Sequence, residues 1–200
     1  MKAYSTKNIR NVVLLGSTKS GKTTLSEAML YEGKVIDRRG TVEGKNTVSD
    51  NSEIEQMNQR SIYATPLYAE FKDTKFNIVD TPGADDFVGG AVSAFKVCDL
   101  GILVVNAQQG VEVGTQIFSR YASEYKVPLI AAVNQLDGEK ASWETTIEAM
   151  KEAFGGKPKS GDLWRFMVIR NACKGSKFSS CGWPVNAHRD FSSAAKLVFK

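Results

Sequence analysis

The residues with the most chemistry in them are Gly16-Ser17-Thr18-Lys19-Ser20-Gly21-Lys22-Thr23, which fit the spacing G-x-x-x-x-G-K-[ST]. Glycines at both ends let a backbone curl so that successive N–H groups point inward. A helix beginning directly after the curl adds the positive end of its dipole. Such a loop holds a polyphosphate. Lys22 supplies a point charge to the outer phosphates and Thr23 a hydroxyl to a magnesium ion, so the function is nucleotide-linked. Two more polar clusters follow apolar runs: Asp80-Thr81-Pro82-Gly83 and Asn134-Gln135-Leu136-Asp137.

Positioning them falls to a series of short elements. The apolar, β-branched run Ile9 to Leu15 reads as a strand buried on both faces, feeding the loop directly. Lys22 to about Tyr31 reads as a helix with Leu25, Ala28 and Met29 on one face. Glu32 to Arg60 is long, polar and without apolar periodicity, and is either a solvated excursion or an ordered functional segment. Strands are expected at Ala64 to Phe71, Lys75 to Val79, Leu100 to Asn106 and Val127 to Val133, with a helix near Val88 to Val97. Val113, Ile117, Phe118, Tyr121 and Tyr125, and then Trp143, Ile147, Met150 and Phe154, lie at helical spacing as core-facing stripes. The alternation predicts a mainly parallel sheet with helices on both faces, whose ligand sits at the carboxyl ends of the strands. All three polar clusters fall there.

Composition bounds the setting. Two hundred residues, 42% hydrophobic, suffice for one sizeable core. The first residues hold no signal-peptide stretch and no apolar run approaches the roughly 20 residues that span a bilayer, so a cytoplasmic protein without membrane contact is expected. Cys98, Cys173 and Cys181 are odd in number and lack metal-ligand spacing, which reads as free thiols. The formal charge of +4 suggests nucleic acid until it is divided. Residues 1–156 hold 17 Lys and Arg against 20 Asp and Glu, whereas residues 157–200 hold 9 against 2. Net charge is thus −3 before the break and +7 after it, so no DNA-binding face is inferred.

With the three clusters in this order, and with NIVDTPGADDF, DLGILVVNAQQGVEVGTQ and YKVPLIAAVNQLD between them, the chain resembles the translation-factor GTPases, and elongation factor G-like members in particular. The resemblance runs from about Ile9 to Gly156. It implies a three-layer α/β sandwich of the P-loop NTPase kind, GTP and GDP as ligands with Mg2+, and the ribosome, its RNA and proteins, as partner of the full-length form. By the same likeness Gly16, Ser17, Thr18, Lys19, Ser20, Gly21, Lys22, Thr23 and Thr24 bind the phosphates. Thr23 and Asp80 serve the metal, Asp80 through water, and the Gly83 N–H senses the terminal phosphate. Asn134, Gln135 and Asp137 stand at the base-reading N-K-x-D motif. An acceptor-only carboxylate at Asp137 favours guanine, which offers donors that adenine does not.

Four departures bear on turnover. Ala84 occupies the family's water-positioning His, and no residue is assigned a catalytic role; the loss is expected to cost on the order of 10² to 10⁴ in rate. Asp85 or Asp86 is the candidate for a partial substitute, although a carboxylate so close to the phosphates adds repulsion. Arg60-Ser61-Ile62-Tyr63 replaces R-G-I-T, so Tyr63 stands where a threonine reaches magnesium, with Thr65 as the nearest hydroxyl. Gln135 replaces the motif lysine. Lys19 and Ser17 stand where the family commonly has Asp and His, and Lys19 adds positive charge near the phosphates.

Hydrolysis is therefore expected to be weak, with a nucleotide-sensing module without turnover, or an inactive fragment, as alternatives. Past Gly156 the resemblance stops. Residues 1–156 are expected to form a nucleotide domain incomplete at its C-terminal end, and residues 157–200 a divergent basic tail, for example one read in a shifted frame. A strand is possible at Arg165 to Ile169. Asn171-Ala172-Cys173-Lys174 resembles the [ST]-A-K loop of small GTPases, and His188 and Trp183-Pro184 carry no assigned role.

Overall fold

The computed structural model describes residues 3–154 and the backbone of a strand at residues 164–168. Asn171 to Lys174, Cys173, Cys181, Trp183-Pro184 and His188, and with them most of the basic tail, lie outside the described residues.

Six strands form one sheet in the order β2-β3-β1-β4-β5-β6: β1 (Ile9–Leu15), β2 (Thr65–Phe71), β3 (Thr74–Asp80), β4 (Leu100–Asn106), β5 (Leu129–Asn134) and β6 (Trp164–Val168). Only the β2–β3 pair is antiparallel, joined through a turn in which Lys72 takes a φ of 52°. The other pairs are parallel, as strand-helix-strand crossovers require. The strand expected at Arg165 to Ile169 is β6, which lies one residue earlier and pairs with β5.

The chain winds to one side of β1 to place β3, then to the other to place β4. That reversal opens a crevice at the carboxyl ends of the strands flanking β1.

Alternation along β1 divides the core. Val12 and Leu14 face a layer formed with Leu25, Met29 and Leu30 of helix α1 (Lys22–Glu32) and with Phe76, Ile78, Ile102 and Val104. Val13 and Leu15 face the opposite layer, where α3 (Val88–Phe95), α4 (Val113–Glu124) and α5 (Trp143–Phe154) bring Phe95, Phe118, Ala122 and Met150 onto Leu103, Val105 and Val133. The stripe of α5 packs as expected, with Trp143, Ile147 and Phe154 at its margin.

Val113 does not join the α4 stripe: it opens the helix and is 67% exposed, and burial begins with Gly114, Thr115 and Phe118. Likewise α3 stops at Phe95, so Val97 is left exposed, and β5 starts at Leu129, after Pro128, which cannot donate to the ladder.

The segment from Glu32 to Arg60 is folded against the body, and contains the short helix α2 (Glu53–Asn58). Its order comes from polar contacts to Glu27 and Glu55.

Phe118 is 1% exposed and sits at the centre of the larger layer. Phe118→Ala is expected to lower the unfolding free energy by about 3–5 kcal/mol, measured by urea denaturation. A loss below about 1 kcal/mol would contradict this placement of the core.

Candidate functional site

The loop after β1 depends on backbone conformations that few residues tolerate. Gly16 has a φ of 136° and Gly21 one of 96°, and a Cβ on Gly16 would strike the Val104 carbonyl oxygen. Lys19 adopts 62° between them. The resulting curl ends in α1, whose first N–H groups have no intrahelical acceptor. Lys22 folds back over it, its Nζ donating to the carbonyls of Gly16 and Ser17, both at 2.9 Å. Burial pushes the Lys22 ammonium down to about 8, against the raising influence of Asp80, Asp50 and Glu112.

β3 delivers the second cluster to the same place. Thr81 donates to the Leu14 carbonyl at 2.6 Å, which ties the end of β3 to β1. A Cβ on Gly83 would strike Lys22 Nζ and lie 2.7 Å from the Ser17 carbonyl carbon and the Thr18 nitrogen, so Gly83 is pressed against the loop.

Asp80 Oδ2 accepts from Thr23 Oγ1 at 2.8 Å and from Ser49 Oγ at 2.7 Å, while Ser61 Oγ lies 3.1 Å from Thr23 Oγ1. Burial raises the Asp80 carboxyl to about 6, opposed by the Ser49 hydroxyl, Lys22 and Thr23. Burial also raises Asp50, opposed first by the dipole of the nearby Ser61 hydroxyl.

Four buried polar atoms here find no hydrogen-bond partner: Ser20 Oγ, both carboxylate oxygens of Asp50, and Asp80 Oδ1. Such groups are costly unless something satisfies them. An all-oxygen set of hydroxyls and carboxylates beside a curl of N–H groups fits a hard cation together with an oxyanion. Among the described residues no cluster of three or more His, Cys, Asp and Glu could hold a metal by itself. A cation here needs oxygens from its ligand.

The third cluster closes the far side of the loop. Asn134 Nδ2 donates to the Ser20 carbonyl at 2.9 Å, and Gln135 Nε2 to the Lys19 carbonyl at 2.9 Å. Gln135, at a φ of 60°, also accepts from Asn106 Nδ2 at 2.8 Å. Asp137 lies in the turn that follows, exposed. Thr18, Lys19 and Thr24 lie at the rim, with Lys19 and Thr24 exposed, and Ser17 Oγ is 3.2 Å from Thr115 Oγ1.

Several residues that sequence reasoning passed over hold the segment between α1 and β2. Glu27, 1% exposed, accepts from the Gly40 N–H at 2.8 Å and the Val48 N–H at 2.6 Å. Glu55 accepts from the N–H groups of Ile62 at 2.9 Å and Tyr63 at 3.0 Å. Although burial alone would raise its carboxyl, those bonds and two from Ser52 bring it below the usual range. Ser52 and Glu55 form a capping box at α2, a spacing visible in the sequence.

Thr65, the expected alternative hydroxyl, instead donates to the Ser49 carbonyl at 3.2 Å. It is the first residue of β2, and strand pairing directs it there; Ser49 and Ser61 are the hydroxyls at the Thr23–Asp80 corner. Ala84 is half-buried in extended backbone beside the loop. Asp85 and Asp86 are exposed, and a Cβ on Gly114 would lie 3.3 Å from Asp85 Oδ1, which places that carboxylate over the start of α4.

The elongation factor Tu GTP-binding domain family matches residues 7–194. The chain belongs to that family. Within it the chain is 36% identical over 149 residues to an elongation factor G-like protein of Mycobacterium tuberculosis, covering 74% of this chain and 21% of that protein. It is 34% identical over 155 residues to elongation factor G of Petrotoga mobilis, covering 78% and 22%.

A crystal structure of a Thermus thermophilus protein superimposes with a TM-score of 0.71 at 31% identity, covering 74% of this chain and 22% of that one. The translation elongation factor SelB of Methanococcus maripaludis, solved with the GTP analogue GppNHp, gives a TM-score of 0.56 at 19% identity, over 80% and 29%. This chain spans about a fifth of the length of the curated relatives it matches. Its α/β domain is similar to part of the elongation factor G-like relatives.

Asp80 sets a pH dependence. Its carboxyl is higher in the fold, at about 6, than its ordinary value of 3.8, so its contribution to stability is present below about 4 and lost as pH rises through about 6. Nucleotide-free protein in EDTA should lose up to about 3 kcal/mol across that window relative to Asp80→Asn, followed by urea unfolding. Parallel pH profiles for the two proteins would contradict the burial argument.

Proposed function

We propose that this chain binds GTP and GDP with Mg2+ and hydrolyses GTP slowly, and that in a longer protein it acts with the ribosome in the cytoplasm. One observation carries the reading: Lys22, Thr23, Asp80 and Gly83 converge on a single curl of backbone, at which Ser20 Oγ, both Asp50 oxygens and Asp80 Oδ1 are buried without partners.

In this reading residues 16–24 hold the phosphates, and Thr23 and Asp80 face the magnesium ion. The ion would neutralise charge on the phosphate oxygens. Asn134 braces the loop, Gln135 ties it to the base side through Lys19, and Asp137 reads guanine by accepting from the base's own donors. Lys19, exposed at the rim, adds charge toward the phosphates. The GTP analogue bound by SelB of the same fold supports the ligand class. No helix among the described residues is long and apolar enough to cross a membrane.

Slow turnover follows from Ala84. A methyl group cannot orient a water molecule, and the two carboxylates that follow it are exposed. The same observation favours a second reading, a nucleotide-responsive module in which GTP shifts a conformational population without turnover.

Calorimetric titration with GDP, GTP and ATP, with and without Mg2+, followed by phosphate release on the same sample, tests both. Binding of GDP and GTP but not ATP is expected, with Asp137→Ala weakening GDP about 10- to 100-fold. Tight GTP binding with negligible phosphate release selects the second reading. Equal affinity for ATP and GTP, or hydrolysis at the rate of ordinary elongation factors, would overturn the first.

A further inference from the structure

The residue at position 63 is a tyrosine whose side chain is 56% exposed and whose N–H is held by Glu55, so it presents no hydroxyl to Thr23. Resting on the reading that Thr23 and Asp80 face the magnesium ion, we propose that Ser61 is the side chain by which the segment between α1 and β2 reaches that ion, with Ser49 orienting Asp80 for it.

The spacings carry this. Oxygens that are adjacent ligands of an octahedral Mg2+ at about 2.0–2.1 Å must lie about 2.8–3.0 Å from one another. Thr23 Oγ1 and Ser61 Oγ are 3.1 Å apart, and Thr23 Oγ1 and Asp80 Oδ2 are 2.8 Å apart. The Thr23–Ser61 separation is close to that of two neighbouring ligands, with Asp80 hydrogen-bonded behind Thr23, where it would serve the ion through water. Thr23 gives its proton to Asp80, and the Ser61 proton lies between Thr23 and the neighbouring Asp50 carboxylate, so a lone pair on each hydroxyl oxygen is free to turn to a metal.

The backbone around Ser61 is fixed rather than merely near. Glu55 Oε1 holds the next two N–H groups, those of Ile62 and Tyr63, and Glu55 is itself held by the Ser52 N–H and hydroxyl. On the other limb of the segment Glu27 fixes Gly40 and Val48, which sets Ser49 within 2.7 Å of Asp80 Oδ2. Two independent carboxylate clasps thus bring Ser49 to Asp80 and Ser61 to Thr23. Next to Ser49, Asp50 is 4% exposed, and neither of its oxygens nor Asp80 Oδ1 accepts a hydrogen bond. Those three carboxylate oxygens, left without hydrogen bonds, are what a divalent cation with its water would satisfy.

The test is Mn2+ affinity, read by electron paramagnetic resonance on the full chain loaded with GppNHp or GDP, beside nucleotide affinity in EDTA. Ser61→Ala and Ser61→Gly should each weaken Mn2+ about tenfold in the GppNHp complex while leaving nucleotide affinity in EDTA within about twofold, and Tyr63→Ala should change neither. Mn2+ affinity within twofold of wild type in both Ser61 variants, or a Tyr63→Ala loss as large as theirs, overturns the proposal and leaves nucleotide binding standing. Wild-type protein that binds neither nucleotide overturns the underlying reading as well.

Discussion

The site depends on charges that the fold takes out of water. Lys22 and Asp80 are both buried at the mouth of one crevice, and neither forms a tight ion pair with the other; the ammonium is spent on two loop carbonyls and the carboxylate on hydroxyls. Each is pushed toward neutrality by burial, Lys22 down to about 8 and Asp80 up to about 6. Buried charge is retained in this way where a ligand of matching charge completes it. A polyphosphate suits the lysine and a divalent cation suits the aspartate, and the two ligands also suit one another.

Rigid elements hold that arrangement from three directions. β1 and β3 run side by side, so the loop after one and the Asp80 to Gly83 turn after the other arrive together. β4 and β5 do the same for Asn106 and Asn134, whose Cα positions are partners in the ladder. The loop after β1 is consequently braced by Asn134 and Gln135 on one side and by Gly83 on the other. Geometry set by a sheet is harder to disturb than geometry set by a loop alone, which is what a site for a highly charged ligand needs.

The local parts of this were legible in the sequence. The strand, curl and helix from Ile9 to Glu32 could be read directly because apolar runs and glycine spacing encode them, and the β2–β3 hairpin because its two strands are joined by a short turn. The segment from residue 33 to 62 could not, because apolar periodicity does not register what orders it: Glu27, 13 residues from Gly40 and 21 from Val48, acts through hydrogen bonds alone. Its one local sign was the Ser52–Glu55 capping box. Gln135 shows a similar gap. Read as a lysine that has lost its charge, it in fact uses both ends of its amide, donating to Lys19 and accepting from Asn106, a role that depends on which strands are neighbours.

What most directly tests whether this crevice is a preformed polyphosphate site is the backbone amide spectrum of the 15N-labelled chain as GDP is added with Mg2+. The account predicts that the largest shifts fall on the amides of residues 16–24 and 83, with residues 134–137 following, at protein concentrations where all other regions barely move. Shifts confined to other surfaces, or none at all at millimolar GDP, would contradict it.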